Sequence, residues 1–262
     1  MKWISDRLQG LKQYKDLLYQ LVTRDIKLKY RRSFLGYIWS ILNPLLIMLV
    51  MTLVFSYIFR FDIPNFPAYL LTGQVLFAFM TEATTSAIGS ITGNGSLIKK
   101  TYVPKYIFTL SKVTSSLVNL LFSMAALAIV MLITGVKLTW YFLLAPLVIL
   151  ELYIFCIGLG MFLAQAAVFF RDIQYIYGVV TTAWSYLTPI FYPITVLPEN
   201  IRYTVLHLNP MYYYIAQFRD TVLYGQMPGP YLMIGGAVIP LLMLGIGAYS
   251  FMRSQDKFIL YI

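Results

Sequence analysis

Two carboxylates, Glu82 and Glu151, stand inside otherwise apolar stretches of this 262-residue sequence and are the first places to look for chemistry. A charged side chain at mid-bilayer costs about 2.5 to 3.5 kcal/mol on insertion scales, so each must face protein, face water or be protonated. A proton relay needs several connected groups, and these two fall on different segments; packing and function are equally supported for both. His207, the single histidine, lacks an acid or ligand pattern beside it and reads as a hydrogen-bonded interfacial residue. Cys156 has no partner for an intrachain disulfide and reads as a small core residue. Phosphate, metal and acyl-transfer patterns are missing. GSLIKKT at 95–101 comes nearest to a phosphate loop but lacks the second glycine, and no HExxH, paired CxxC or GxSxG occurs.

Polar and aromatic side chains do recur on single helical faces. Tyr177, Thr181, Trp184, Thr188 and Phe191 are spaced by four, three, four and three residues, and Gln74, Phe77, Thr81 and Thr85 form a second stripe. Sugar rings have apolar CH faces and hydroxyl rims, so a passage for glycan would want flat rings interleaved with hydroxyl and amide groups. The same pattern also suits helix–helix adhesion by Ser and Thr and the aromatic belt at headgroup level. Both readings stand.

Two basic segments complete the candidates. NGSLIKKTYVPKY at 94–106 predicts a short basic helix capped by Ser96 and stopped by Val103 before Pro104. Leu97, Ile98 and Tyr102 offer anchors for a partner's groove beside Lys99, Lys100 and Lys105, while a solvated loop that only sets topology is the plainer alternative. In KLKYRRSFLGYIW, the cluster Lys27, Lys29, Arg31 and Arg32 directly precedes an apolar run, where it would keep an interfacial helix from sliding into the bilayer.

The elements that must position these residues follow from composition. With 60% hydrophobic and 11% charged residues and a mean hydropathy of +0.73, the chain carries more apolar surface than a water-soluble domain can cover. A bilayer core about 30 Å thick needs roughly 20 apolar helical residues. Six stretches qualify, at 37–59, 69–91, 107–133, 140–170, 173–191 and 231–252. Sixteen of the twenty Lys and Arg then fall on the side holding both termini, which the positive-inside bias assigns to the cytoplasm. The net charge of +10 thus speaks of membrane orientation and anionic headgroups, and no nucleic-acid motif competes. Residues 11–30 read as an amphipathic interfacial helix, with Leu11, Tyr14, Leu18, Leu21 and Val22 on one face. Residues 192–230, rich in proline and tyrosine, read as short re-entrant or interfacial helices. The start lacks a secretory h-region and reads as mature protein. The expected fold is an all-α polytopic membrane protein, with a cytoplasmic amphipathic segment at 1–36 and a six-span domain at 37–262. No linker to a second soluble domain and no internal repeat are visible.

YRRSFLGYIWSILNP at 30–44, FFRDI at 169–173 and LNPMYYYIAQFRD at 208–220 together resemble the permease subunit of bacterial ATP-binding cassette polysaccharide exporters, the group that moves O-antigen, capsule and teichoic acid polymers. The resemblance covers nearly the whole chain. It implies a multi-pass protein of the bacterial cytoplasmic (inner) membrane with no catalytic residue, metal or cofactor of its own; ATP and Mg would reside on a partner ATPase. It implies two permeases and two ATPases, with the glycan path at the permease dimer interface among the first, second and fifth spans. The amphipathic helix and the segment Ser96 to Lys105 would rest on the ATPase. The substrate would be a glycan on undecaprenyl diphosphate, with Arg31, Arg32 and Arg171 as candidates for its phosphates. Alternatives are a permease of the same build for a drug, a lipid or another small hydrophobic solute, a membrane-embedded glycosyl- or acyltransferase, which would need an acid or His constellation, and a passive channel, which would need a filter motif.

Overall fold

The computed structural model describes residues 13–31, 35–55 and 63–261, and within them all regular structure is helical. The α-helices are α1 (Lys15–Tyr30), α2 (Trp39–Val54), α3 (Phe66–Ile88), α4 (Gly95–Lys100), α5 (Tyr106–Thr134), α6 (Ala145–Phe169), α7 (Ile173–Leu187), α8 (Glu199–Leu208), α9 (Pro210–Arg219) and α10 (Pro230–Ser254). Among the described residues, four stretches are long and apolar enough to cross a bilayer: Gly36–Val54, Tyr106–Thr134, Trp140–Phe169 and Pro230–Leu260. Helix α3 and the following segment, Thr92–Lys100, are bent by 54° and make a fifth if taken as one span. Helix α7 is the exception among the expected spans. Its 15 residues rise about 22 Å, short of the hydrocarbon thickness, because the chain leaves the helix at Thr188 and turns through Pro189.

Helix α3 is the central element. Sixteen of its 23 residues are buried, and it packs against α2, α5, α6, α7 and α9. Leu71, Leu76 and Met80 meet Leu152 and Phe155 of α6 and Tyr214 and Phe218 of α9 in one apolar core. Helices α6 and α10 pack more closely still. A Cβ on Gly247 would lie 1.9 Å from the Gly158 carbonyl oxygen, so the two backbones touch and only glycine fits. Helix α2 contrasts with α3: none of its residues is buried, which leaves an apolar surface for lipid or for a second protein.

Helix α1 lies against this bundle through Leu21, which joins Ile98, Phe251 and Phe258 in a second cluster with Tyr14 and Leu17 at its edge. Lys112 Nζ of α5 pairs with Asp25 at 2.9 Å, and Lys29 Nζ pairs with Glu82 at 2.8 Å. Of the face expected on α1, Tyr14 and Leu21 make the apolar contact and Leu17 joins them, while Leu18 and Val22 are half-buried outside the cluster and Leu11 lies outside the described residues. At the opposite end of the bundle, Asn209 joins α7, α8 and α9. Its Oδ1 accepts from the Trp184 indole at 2.7 Å and caps α9 at the Met211 amide at 3.1 Å, while its Nδ2 donates to Thr188 Oγ1 at 3.0 Å. Pro210 at the first helical position loses no intrahelical bond, so Asn-Pro is a helix start here.

Candidate functional site

A groove of about 590 Å³ runs along α3, walled by Ile47 and Met51 of α2 on one side and Thr181, Thr182 and Ser185 of α7 on the other, and ending at Ile190 and Phe191. From α3 it takes Gln74, Phe77, Thr81, Glu82, Thr85 and Ser86. The lining is mostly carbon, with hydroxyl, amide and carboxylate groups set along it. Two of these groups, Gln74 Oε1 and Thr81 Oγ1, are buried from bulk solvent yet have no hydrogen-bond partner among the described residues. An unsatisfied buried polar atom costs about 1 to 3 kcal/mol, so these two are places where a further donor would be stabilising.

Of the nine residues that the two stripes single out, Gln74, Phe77, Thr81, Thr85, Thr181 and Phe191 share this groove. The other three stand behind its wall. Tyr177 is buried and donates to Thr84 Oγ1 at 2.8 Å, fastening α7 to α3. Trp184 donates to Asn209 and packs edge-on against Phe77 and Phe155. Thr188 is fully buried, bonded to the Trp184 carbonyl at 2.7 Å and to Asn209. Helix α7 thus presents Thr182 and Ser185 to the groove where the stripe placed Trp184 and Thr188. Ser86, Thr182 and Ser185 were legible only as hydroxyls one position away from each stripe.

At the α1 end, Glu82 borders both the groove and a smaller pocket that holds Lys29, Lys112 and Asn119. Its Oε1 accepts from Lys29 at 2.8 Å and from Asn119 Nδ2 at 2.6 Å. The mid-helix carboxylate therefore faces protein and is paired. Both ends of the Lys29 pair are more than a third exposed, so it contributes no more than about 1 kcal/mol. Since Glu82 and Asp25 neutralise Lys29 and Lys112, this pocket offers no surplus charge to an anion. Glu151, the other mid-helix carboxylate, accepts from Gln217 Nε2 at 3.2 Å.

Of the three arginines expected at a phosphate, two lie within the described residues. Arg31 is exposed at the end of α1, and Arg32 lies outside the described residues. Arg171 is exposed beside a pocket of about 290 Å³ with Thr92, Gln174 and Tyr261. No described pocket joins Arg31 to Arg171 within one chain.

The basic loop is folded differently from its expected form. Asn94 occupies the cap position of α4 without a side-chain cap bond, and Ser96 lies inside the helix. The helix ends at Lys100, where Thr101 turns extended and its hydroxyl donates to the Leu97 carbonyl at 2.7 Å. The helix thus ends three residues ahead of Val103. Ile98 is buried and Leu97 is packed on the same cluster, so both hold the loop to its own bundle. Lys105 donates to the Gln255 carbonyl and lies 5.8 Å from the Phe258 ring. Tyr102 alone of the three apolar anchors points out, fully exposed, near the exposed Lys99 and Lys100. His207 likewise has a structural setting: its Nδ1 lies 2.8 Å from the Tyr203 carbonyl and its ring stacks on Tyr203 at 4.1 Å.

Residues 16–223 match the model of the ABC-2 type transporter family, and the chain belongs to that family, whose members work with an ATPase component. The chain is 31% identical to the O-antigen export system permease protein RfbA of Myxococcus xanthus, over 96% of this chain and 97% of that protein. It is 28% identical to a protein of the same name from Klebsiella pneumoniae, over 84% and 85% of the two chains. It is also 28% identical to the capsule polysaccharide export inner-membrane protein CtrC of Neisseria meningitidis, over 92% and 93%.

Proposed function

We propose that this chain is the transmembrane permease subunit of an ATP-driven exporter that moves a lipid-linked polysaccharide across the bacterial cytoplasmic membrane. The observation that carries the reading is the groove beside α3, lined by the rings of Phe77 and Phe191 and by the amide and hydroxyl side chains of Gln74, Thr81, Thr85, Thr182 and Ser185. A sugar chain offers what such a lining lacks, CH faces for the rings and hydroxyl donors for the oxygens. Relatives named for O-antigen and capsule export support the same substrate class.

In this reading the chain crosses the membrane six times, with α7 as a short fifth span and α8 and α9 as interfacial or re-entrant helices on the outer side. Both termini lie in the cytoplasm, on the side that collects sixteen of twenty basic residues. A second copy closes the open side of the groove: α2 has no buried residue, and of α7 only Tyr177 and Thr181 are buried, so both helices have surface to give. Tyr102, flanked by Ser96, Lys99 and Lys100, docks on the ATPase, which carries ATP and Mg, while Leu97, Ile98 and Lys105 brace the loop from within. Arg31, with Arg32, and Arg171 meet the lipid diphosphate at the cytoplasmic edge through charge-assisted bonds. The chain itself makes and breaks no bonds, and closure of the ATPases drives its helices.

The test is to purify the native complex with its ATPase stalled by substitution of the catalytic carboxylate, and to identify the retained lipid by mass spectrometry. Undecaprenyl diphosphate bearing a glycan is expected. Phospholipid or a small amphiphile alone would overturn the reading in favour of a small-solute permease.

A further inference from the structure

A second pocket, of about 370 Å³, lies at the end of the bundle away from α1, between the start of α3 and the end of α9. Its size is within the range of about 300 to 1,000 Å³ typical of small-molecule sites. Tyr69, Tyr212 and Tyr224 line it together with Arg219 and Asp220, and Pro189 forms part of the wall. We propose that this pocket is a saccharide subsite, separate from the groove, that takes a neutral sugar ring of the emerging chain between its tyrosines, Arg219 and Asp220. The inference rests on the glycan-export reading and adds to it a place where the polymer is held after leaving the groove.

Arg219 is the unusual member. Only 6% of it is exposed, and among the described residues no carboxylate pairs with it. Its Nη1 donates to the Pro189 carbonyl at 2.8 Å, and its Nη2 donates to those of Tyr69 at 3.1 Å and Ile190 at 3.0 Å, with the guanidinium 3.5 Å from the Tyr69 ring centre. The Nε–H is left over: buried, on a cation, and without a partner among the described residues. Arg219 itself lines the pocket, so an acceptor for this buried donor would come from that side. Half-buried Asp220 adds the complementary group. Its Oδ1 accepts from Gln226 Nε2 at 2.7 Å, and its other oxygen has no described partner. Burial pushes this carboxyl above its ordinary range, and the Gln226 bond partly offsets that.

The pair selects by charge. Asp220 disfavours an anion, and Arg219 disfavours a cation. What satisfies a free donor, a free acceptor and tyrosine rings together is a neutral ring with hydroxyls on its rim and CH on its faces. Position agrees with chemistry. Pro189 walls this pocket while the next two residues, Ile190 and Phe191, line the groove, so one short turn separates the two. Arg219 holds that turn by two carbonyls, and Gly73 makes room for the guanidinium, since a Cβ there would lie 2.8 Å from Nη2. A ring bound beyond the turn resists sliding back.

The experiment places the photo-crosslinker p-benzoylphenylalanine at position 224, at groove position 182, or at exposed position 203 as a control, in cells making their native polysaccharide. Glycan on the permease band is read by periodate–hydrazide staining. Labelling at 182 and 224 but not 203 is expected. Labelling at 182 without 224, or at 203 as strongly as at 224, overturns the subsite and leaves the export reading standing. Labelling at none of them removes the export reading and the subsite with it. In the 224 background, Asp220→Ala is expected to reduce labelling about tenfold, the loss of one charge-assisted bond; undiminished labelling overturns the part given to Asp220.

Discussion

Replacing Arg219 by methionine removes a buried charge but keeps an unbranched side chain of similar reach, and the structure fixes what should follow. Relief of a desolvated guanidinium works in favour of the variant, and exchange of buried charged groups for apolar ones is often neutral or stabilising. Here three carbonyl oxygens lose their donor at once. The Tyr69 oxygen also receives the Thr72 hydroxyl, at 2.7 Å. Those of Pro189 and Ile190 lie in a turn, where among the described residues Pro189 keeps a long contact from the Tyr69 hydroxyl, at 3.5 Å. Two orphaned carbonyls at about 1 to 3 kcal/mol each, and a lost cation–π contact of about 1 kcal/mol, exceed the relief and leave a net loss of about 3 kcal/mol. For a chain of this size that corresponds to a fall in Tm of roughly 6 to 12 °C. The assay is fluorescence-detected size exclusion after heating in detergent. Arg219→Lys, whose single ammonium cannot reach three carbonyls in one plane, should recover less than half of the loss. A methionine variant within about 2 °C of wild type would refute the idea that the guanidinium clamps the turn.

Three further outcomes are expected. Gln74→Leu combined with Thr81→Val removes two unpaired buried acceptors, so it should raise stability by about 1 kcal/mol while cutting glycan export at least several-fold; a variant that exports normally would mean the groove does not contact the polymer. Gly247→Ala drives a methyl into the Gly158 carbonyl at 1.9 Å and should cost at least about 1 to 3 kcal/mol, seen as a lower Tm; an unchanged Tm would show that α6 and α10 are less closely packed than described. Tyr102→Ser alters a fully exposed side chain and should leave Tm unchanged within about 0.5 kcal/mol while lowering the amount of ATPase that copurifies; full copurification would take Tyr102 out of the docking surface.

The long apolar helices were legible because period and length carry the signal: the stretch expected at 107–133 is Tyr106–Thr134, and that expected at 231–252 is Pro230–Ser254. The fifth stretch was read too long, since apolarity continues past Leu187 while Thr188 and Pro189 take the chain out of the helix. Half the groove followed from periodicity on α3, where all four stripe residues line it. On α7 the stripe correctly marked one face, but a face does not name its neighbour, and Tyr177, Trp184 and Thr188 turned toward α3, α6 and Asn209. Arg219 was least legible. Counted as one of four basic residues on the outer side, it is buried, because its partners are backbone carbonyls 29, 30 and 150 residues away that leave no trace in side-chain pattern. The basic loop misled in the opposite sense, its apparent anchors Leu97 and Ile98 being taken up by the bundle's own core.

The central claim is tested most directly by reconstituting the purified chain with its copurifying ATPase into liposomes that contain undecaprenyl-diphosphate glycan from the same cells. Glycan accessible from each face is then followed by oxidation with membrane-impermeant periodate. ATP-dependent transfer of glycan to the opposite face, abolished in the ATPase-inactive complex, is the predicted result. ATP hydrolysis that moves a small hydrophobic solute while the glycan stays in place would contradict it.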